Sequence, residues 1–227
     1  MFKNFKAIAH MRSPVATIDY IILDAIISAA KAKEILGEEF YSGKNIAGER
    51  EDIERMLDPI IDKQYGVYCT SIGIGDNREY VGSWAKRWDD KNDDMVDFGG
   101  KGKERIDIGA GTFKNYHMPL VLKSYKTITF YVRGNMEEIS RLLETYISYL
   151  GKKGSQGYGH INKWEFEEIT MNYSIFNDGE IMRPVPVDKC QDYLEHIFEK
   201  QQNINIMQHA TIPPYWRKEK ELCVIPN

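Results

Sequence analysis

The sequence predicts an α+β fold of the ferredoxin-like type, in which two helices cover one antiparallel sheet. Two observations support this prediction. Residues 126 to 134 alternate apolar and polar side chains, as a half-buried strand does, and an apolar pattern of helical period follows them. The N-terminal part of the chain shows a similar order of strand, helix and strand. Two such β-α-β halves on one antiparallel sheet make this fold.

The N-terminal half begins with residues 5 to 11, FKAIAHM, which have the pattern of a strand. Residues 18 to 36 then predict a helix, with Asp19 near its start. One stripe of that helix is apolar and consists of Ile18, Ile22, Ala25, Ile26 and Ala29. Residues 65 to 75, YGVYCTSIGIG, are rich in β-branched and aromatic side chains and predict a strand that runs into glycines.

The second half contains the clearest helix of the chain. Asn135 is a good N-cap, and Glu138 stands three residues later, as in a capping box. Apolar residues then recur at helical spacing, namely Ile139, Leu142, Leu143, Tyr146, Ile147 and Leu150. Gly151 stands where a left-handed C-cap would end the helix.

A strand is predicted after the glycine-rich loop that follows this helix. Trp164 and Phe166 fall on one face of that strand and Ile161 on the other. Between the two halves, residues 82 to 118 are polar and rich in glycine. A connection of this length inside a compact domain is usually functional or disordered.

The C-terminal tail predicts a helix at residues 188 to 202, after which prolines stop regular structure. We expect one domain over residues 1 to 227. Within it, residues 82 to 118 form an insertion and residues 188 to 227 form an extension.

Composition and charge narrow the class of protein. The 42% of hydrophobic residues suffice for a continuous core, and no apolar run approaches the ~20 residues of a membrane helix. We therefore expect a cytoplasmic protein with no membrane partner. The net charge of −4 argues against a protein that coats nucleic acid along its whole surface, but it leaves room for a local basic patch. Cys69, Cys190 and Cys223 are far apart and odd in number, so we expect reduced, packed thiols.

Residues 151 to 164, GKKGSQGYGHINKW, contain four glycines, which leave backbone amides unobstructed by side chains. Such amides suit phosphate. The same loop adds charge, hydrogen-bond donors and a stacking face from Lys152, Lys153, Ser155, Gln156 and Tyr158. The spacing fits neither a Walker A loop nor a dinucleotide fingerprint, because here a helix precedes the glycines and a strand follows them. The structural alternative is a helix C-cap followed by a tight turn.

Part of this loop, QGYGHI at residues 156 to 161, comes near the strand signature of RNA-recognition motifs. Gln156 replaces the basic residue of that signature, and His160 replaces its second aromatic residue. The signature also normally belongs to a strand that is reached without an intervening helix. We therefore do not equate the two motifs.

The order strand, helix, glycine-rich loop and strand, with LGKKGSQGYGHINKWEFEE as its core, resembles the RAMP superfamily of CRISPR proteins. The hallmark of that superfamily is a glycine-rich loop after the last helix of a ferredoxin-like (RRM-like) fold. SPVATIDYIILDAIISAAKA, with its pair Leu23 and Asp24, is similar to the helix entry of the type IV effector subunit that holds the 5′ handle of the guide RNA. GAGTFKNYHMPL and GEIMRPVPVD fit the layout of the same family.

The resemblance implies a non-catalytic RNA-binding subunit that caps one end of a helical ribonucleoprotein and needs neither a cofactor nor a metal. Backbone amides from Gly154 to Gly159 would clamp the RNA, while residues 82 to 118 would form a thumb that reaches over it. The loop residues implied in binding are Lys152, Lys153, Gly154, Ser155, Gln156, Gly157, Tyr158, Gly159 and His160. Those of the thumb are Lys101, Lys103, Arg105, Phe113 and Lys114.

The implied partners are crRNA, backbone RAMP subunits and the large subunit of the effector complex. In several systems such proteins also help to read the short motif that flanks the DNA target, which makes target DNA a further partner. Tyr158 or His160 would stack on a splayed base of the RNA.

Three alternatives remain. Some RAMP proteins cleave precursor guide RNA with a histidine as acid and base, often beside a tyrosine or lysine. The candidates are His10 (with Arg12 and Tyr20 nearby), His117, His160, His196 and His209. A metal-dependent nuclease would use Asp89, Asp90, Asp93 and Asp94, although a polar, glycine-flanked segment does not by itself hold carboxylates rigidly around ions. The third alternative is a structural domain with no RNA role.

Overall fold

The computed structural model describes residues 1–41, 56–96, 106–198, 204–216 and 218–226. Its strands are β1 (Lys3–Met11), β2 (Val15–Ala16), β3 (Lys63–Gln64), β4 (Val67–Tyr68), β5 (Asn77–Lys86), β6 (Tyr116–Tyr125), β7 (Thr127–Gly134), β8 (Ile161–Ile169), β9 (Phe176–Asn177), β10 (Glu180–Ile181), β11 (Val185–Pro186), β12 (Asn205–His209) and β13 (Glu221–Ile225). Its α-helices are α1 (Leu23–Leu36), α2 (Met136–Tyr146) and α3 (Gln191–Phe198). The class is therefore α+β, with several small antiparallel sheets.

The central sheet has the strand order β7-β1-β8, and both pairs of strands are antiparallel. Every second residue of β7 is buried, so the alternation predicted for residues 126 to 134 is confirmed. The strand predicted at residues 5 to 11 is also confirmed, because β1 buries Phe5, Ala7 and Ala9 on one face.

Ile161 and Trp164 of β8 are buried in the same core, although the sequence places them on opposite faces. The pairing between β1 and β8 shifts between His10 and Met11. An irregularity of this kind inserts one residue, Asn162, into β8 and reverses the alternation beyond it. The prediction of opposite faces is therefore wrong.

Residues 61 to 74 run along the other edge of β7, to which three isolated bridges tie them. They do not form the continuous strand that the sequence predicts over residues 65 to 75. Tyr65 and Gly66 have positive φ and form the two-residue turn of a short hairpin between β3 and β4. The prediction is wrong because the turn falls where the strand should begin.

Helix α1 begins at Leu23, because Ile22 is extended and pairs with Ile72 in an antiparallel bridge. Its buried apolar face contains Leu23, Ile27 and Ala30. The predicted stripe lies one residue away from this face and is wrong. Apolar residues occupy most positions of this segment, so periodicity alone does not fix the register of the helix.

Helix α2 packs beside α1, and the two helices share one core with β1 and β7. The side chain of Asn135 accepts a hydrogen bond from the amide of Glu138 at 3.2 Å, so the predicted N-cap is confirmed. The helix ends at Tyr146, however, because Ile147 takes an extended conformation. The predicted C-cap at Gly151 is therefore wrong.

Strands β5 and β6 form a long antiparallel ribbon, which runs from the pair Asn77 and Tyr125 to the pair Lys86 and Tyr116. Strand β2 adds to β6 near the base of the ribbon. Most residues of both long strands are at least partly exposed. The polar segment at residues 82 to 118 supplies the outer part of this ribbon.

The C-terminal part adds a sheet of order β11-β13-β12. Helix α3 lies within the segment for which the sequence predicts a helix, whereas β12 and β13 are not predicted from the sequence. A second apolar cluster holds this part together and contains Val67, Cys69, Ile175, Ile181, Val185, Cys190, Leu194 and Val224. The three cysteines are buried and free, which confirms the prediction of packed thiols. Among the helices described, none combines the length and apolarity of a membrane span.

Candidate nucleic-acid interface

The glycine-rich loop joins α2 to β8 as a compact turn around a short 3-10 helix, Gly154–Gln156. Lys153, before this turn, has φ 63°, and Gly157, after it, has φ 87°. Both are therefore left-handed, a conformation that costs a non-glycine residue such as Lys153 about 1–2 kcal/mol. Strain of this kind often occurs at functional sites.

Two glycines of the loop are required by the fold itself. A Cβ atom at Gly159 would lie 1.8 Å from the carbonyl oxygen of Leu150. A Cβ atom at Gly151 would lie 2.7 Å from Val15 Cγ1 and 2.8 Å from the carbonyl oxygen of Ala16. Both glycines also have positive φ, so no other residue fits at either position without a shift of the backbone.

Much of the loop backbone is bound to the N-terminal segment that connects β1 to β2. The amides of Lys152, Gly159 and His160 donate hydrogen bonds of 2.7 to 2.8 Å to acceptors within residues 13 to 16. In return, the hydroxyl of Ser13 donates to a loop carbonyl at 2.6 Å. These bonds fix the loop against the end of the central sheet.

Two more amides are used inside the turn. The amides of Gln156 and Gly157 donate to the carbonyls of Lys153 and Gly154, each at 2.9 Å. The expectation that all amides from Gly154 to Gly159 are open to RNA is therefore wrong for Gln156, Gly157 and Gly159. These three groups are already bonded to the protein's own oxygens.

A smaller set of amides remains available. Within the described part of the chain, the amides of Lys153, Gly154, Ser155 and Tyr158 have no hydrogen-bond acceptor. The first three are consecutive, and a left-handed residue followed by a helical one makes such N–H groups converge into an anion-binding nest. Lys152 is exposed beside this nest. Amides of this kind suit an anion such as phosphate.

The glycine-rich loop contacts the ribbon through Lys153 and Trp84. The ammonium nitrogen of Lys153 lies 3.0 Å from the centre of the Trp84 ring on β5. The ring of Tyr116, on β6, lies 4.6 Å from that of Trp84. A cation above an aromatic face is attracted to it electrostatically. This contact brings the loop and the polar segment at residues 82 to 118 to the same place.

A buried ion pair joins distant parts of the chain. Asp24 of α1 and Arg183 are both wholly buried, with 3.1 Å between Asp24 Oδ2 and Arg183 Nη2. The hydroxyl of Tyr215 donates to Asp24 Oδ1 at 2.6 Å, and Arg183 donates to the carbonyl of Thr211 at 2.9 Å. The stretches that contain the Leu23-Asp24 pair and GEIMRPVPVD therefore meet in the interior.

The sequence profile of the family described as CRISPR type IV associated protein Csf3 matches residues 85–226. The match covers more than half of the chain and includes residues 85 to 118 of the outer ribbon, the glycine-rich loop and Arg183. The chain belongs to this family. Membership of the Csf3 family makes it a type IV CRISPR-associated protein and indicates other CRISPR complex subunits as its partners. Among curated proteins, none matches the chain.

The outer ribbon of this Csf3-family chain carries two of its predicted RNA-binding residues. Phe113 packs edge-on against Trp88, with 5.0 Å between the ring centres, and is 39% exposed. Lys114 is exposed next to it. The other predicted thumb residues lie outside the described residues, namely Lys101, Lys103 and Arg105.

The remaining side chains of the loop differ in their exposure to solvent. Ser155 and Gln156 are exposed, and Tyr158 is half-buried. The ring of His160 lies 5.1 Å from that of Tyr149, at 34° to it, so one face of His160 is already occupied. Tyr149 is 46% exposed and adds an aromatic ring beside the loop that no motif of the sequence indicates.

The histidine candidates for RNA cleavage are dispersed in the described structure. His10 Nε2 lies 2.8 Å from Glu165 Oε2, and hydrogen bonds from His10 and Lys163 hold the pKa of Glu165 below its ordinary value. The hydroxyl of Tyr20 donates to the carbonyl of Pro226 at 2.9 Å. Tyr20 is therefore bonded to the C-terminal segment, not to His10.

The other histidines occupy separate elements of the chain. His117 is exposed on β6, and a ring nitrogen of His209 is hydrogen-bonded to the carbonyl of Ala210. The side chain of His196 lies outside the described part of the chain.

Two of the aspartates proposed for a metal-dependent nuclease accept hydrogen bonds from the protein itself. The carboxylate of Asp89 accepts from the amide of Lys91 at 3.1 Å, and that of Asp93 accepts from Trp88 Nε1 at 2.5 Å. The side chain of Asp90 lies outside the described part of the chain. Across the residues that the structure describes, no cluster of three or more His, Cys, Asp or Glu side chains is placed to hold a metal ion.

Sequence reasoning missed Trp84, the residue that links the loop to the ribbon. The available signal is its position within the polar segment at residues 82 to 118, where a large aromatic side chain has little local core to join. Trp88 is a second such residue. Both side chains are partly buried, and tryptophan is enriched at binding interfaces, so aromatic residues in a polar connection are candidates for ligand contacts.

Proposed function

We propose that this chain is the non-catalytic subunit that holds the 5′ handle of the guide RNA in a type IV CRISPR effector complex. It binds crRNA between the glycine-rich loop and the ribbon and contacts backbone RAMP subunits and the large subunit in the cytoplasm. It also contributes to reading the motif that flanks the DNA target. In this proposal the whole chain is one RAMP domain.

The strand order supports a ferredoxin-like assignment of the central sheet. Residues 61 to 74 add to β7 on the side away from β1, so the order becomes β8, β1, β7 and this segment. Helix α1 lies between β1 and residues 61 to 74 in the chain, and α2 lies between β7 and β8. Two β-α-β halves joined in one antiparallel sheet have this arrangement.

The observation that carries the proposal is the contact between Lys153 and Trp84, because it creates one surface from the two parts expected to hold RNA. A phosphate would bind the converging amides of Lys153, Gly154 and Ser155, with Lys152 beside it. A neighbouring base would stack on Trp84 or Tyr158. Each such stacking contact is worth ~1–3 kcal/mol.

The overall charge is consistent with a local interface. A net charge of −4 does not favour binding along the whole surface, so the RNA is confined to the face that presents Lys152 and Lys153. At the free edge of the central sheet, Glu165, Glu167 and Glu168 of β8 pair with His10, Lys6 and Lys3. These basic groups are therefore not free to bind phosphates there.

The experiment is to express the full chain together with the proteins encoded beside it, purify the complex and sequence the RNA that it retains. We expect one RNA species with a constant 5′ sequence. The double variant Lys152→Ser/Lys153→Ser should reduce the amount of retained RNA and make its binding less dependent on salt.

The matched control is Lys3→Ser, which removes a positive charge at the opposite end of β1. Lys3 is bound to Glu168 at 2.7 Å, and its loss should leave RNA retention unchanged. A complex that assembles without RNA contradicts the proposal. Equal loss of RNA in both variants contradicts the location of the site.

A further inference from the structure

A groove lies between the segment that leads into α1, the inner end of the ribbon and the C-terminal tail. It consists of two cavities of about 750 Å³ and 360 Å³. Both are lined by Tyr20, Gly73, Lys123, Tyr125 and Ile225, so the two cavities adjoin each other. Their volumes fall within the ~300–1,000 Å³ range of ligand pockets.

The groove is connected to the glycine-rich loop by one short segment. Residues 13 to 16 accept hydrogen bonds from the loop, and within them Val15 pairs with Lys123 of β6. Residues 17 to 21 then line the groove directly. The loop and the groove therefore contact the two ends of one continuous segment, residues 13 to 21.

Aromatic surface is the first chemical feature of the groove. Tyr20, Tyr125, His209 and Trp216 line it, and Trp216 is 75% exposed. Tyrosine and tryptophan side chains are enriched at binding interfaces. Such side chains offer flat faces on which bases stack.

The second feature is a balance of charge. Lys123 and Lys220 face the groove, and so do the acidic residues Asp19 and Glu180. A groove that followed a phosphate chain would be predominantly basic. A mixture of donors and acceptors with little net charge instead suits uncharged bases, whose edges carry both kinds of group.

We propose that this groove takes unstacked bases of the single-stranded RNA whose backbone lies on the glycine-rich loop. This inference rests on the proposed function and adds to it the part of the RNA that is recognised by its bases. The phosphates bind at the loop, while one or two bases turn into the groove and stack on Tyr125 and Trp216. Recognition of RNA sequence by proteins commonly uses such splayed bases.

The test uses the full chain in its complex and the RNA recovered from it, resynthesised with 4-thiouridine and cross-linked by light. We expect cross-linked peptides from both the glycine-rich loop and the groove, the latter containing Tyr125 or Trp216. Cross-links confined to the loop contradict base binding in the groove and leave the proposed function unaffected. Absence of RNA from the complex overturns the proposed function and the groove together.

A variant series separates stacking from folding. Trp216→Leu and Tyr125→Leu should each weaken binding of the recovered RNA about tenfold, whereas Tyr125→Phe, which keeps the ring, should not. An RNA that lacks the cross-linked bases should bind the wild-type chain and the leucine variants equally. If the leucine variants weaken both RNAs alike, the proposal is wrong.

Discussion

Arg183 Nη2 lies 3.1 Å from Asp24 Oδ2, and neither side chain is exposed to solvent. The guanidinium also donates to Thr70 Oγ1 at 3.0 Å and to the carbonyl of Thr211 at 2.9 Å. Taking two charges out of water costs several kcal/mol per ion, which only good geometry and additional hydrogen bonds offset. The pair therefore makes the position of α1 depend on segments that lie more than 150 residues downstream.

The first prediction concerns this pair. Asp24→Asn leaves the buried charge of Arg183 without a counter-ion, so the free energy of unfolding should fall by about 3–5 kcal/mol. Urea denaturation followed by circular dichroism measures the change. The surface pair of Lys3 with Glu168, at 2.7 Å, serves as the control, because Lys3→Ser should cost only about 0–1 kcal/mol. If both substitutions lower the free energy of unfolding equally, burial does not explain the importance of the Asp24–Arg183 pair.

The second prediction separates two glycines of the loop. Gly159→Ala places a Cβ atom 1.8 Å from the carbonyl oxygen of Leu150, so it should destabilise the fold by more than about 2 kcal/mol. Gly157→Ala has no atom within 4 Å of its Cβ and carries only the strain of positive φ, about 1–2 kcal/mol. Thermal unfolding of the two variants measures the difference. A Gly159→Ala protein as stable as Gly157→Ala would show that the loop differs from the one described.

The third prediction concerns the contact between Lys153 and Trp84. Trp84→Leu removes the aromatic ring that contacts Lys153 and, in our proposal, stacks on a base. We expect about tenfold weaker binding of the recovered guide RNA, measured by filter binding at fixed salt. Trp84→Phe keeps an aromatic face and should recover most of the affinity. If the leucine variant binds as the wild type does, the loop and the ribbon do not form a common RNA surface.

The fourth prediction concerns the thiols. Burial raises the pKa of Cys69, Cys190 and Cys223 to about 11 each. Because the thiolate is the reactive form, iodoacetamide at pH 8 should label none of them in the native protein and all three in urea. Mass spectrometry counts the labels. Rapid native labelling of any one of them would mean that its site opens to solvent.

The same thiols make stability depend on alkaline pH. Their pKa is about 11 in the folded protein against 9.0 for an unperturbed thiol, so the folded state binds these protons more tightly. Their contribution to the free energy of unfolding is complete below pH 9 and is lost as the pH rises toward 11. Urea midpoints at pH 8 and pH 10 test the sign of this effect, and a higher midpoint at pH 10 would contradict it.

Local chemistry made several elements predictable from the sequence. The alternation in residues 126 to 134 and the N-cap at Asn135 depend only on neighbouring residues, and both are present. The register of α1 was not predictable, because a distant bridge between Ile22 and Ile72 sets its start. Strands β12 and β13 are short and exist through pairing with each other and with β11.

In the glycine-rich loop, too, some features depend on neighbouring residues and others on distant ones. Its turn and its lysines could be identified from the sequence, because glycine and charge are local properties. Which amides remain open could not, since residues 13 to 16 decide this from the other end of the chain. The contact of Lys153 with Trp84 likewise joins residues that no local pattern connects.

The position of β1 between β7 and β8 has a consequence for synthesis of the protein. Both neighbours of this first strand lie beyond residue 126, so at ~5–20 residues per second β1 waits several seconds on the ribosome before either exists. During that time its apolar side chains, Phe5 among them, are available to chaperones and to other nascent chains. Slower translation should therefore lower the yield of the protein in cells while leaving the stability of the purified product unchanged.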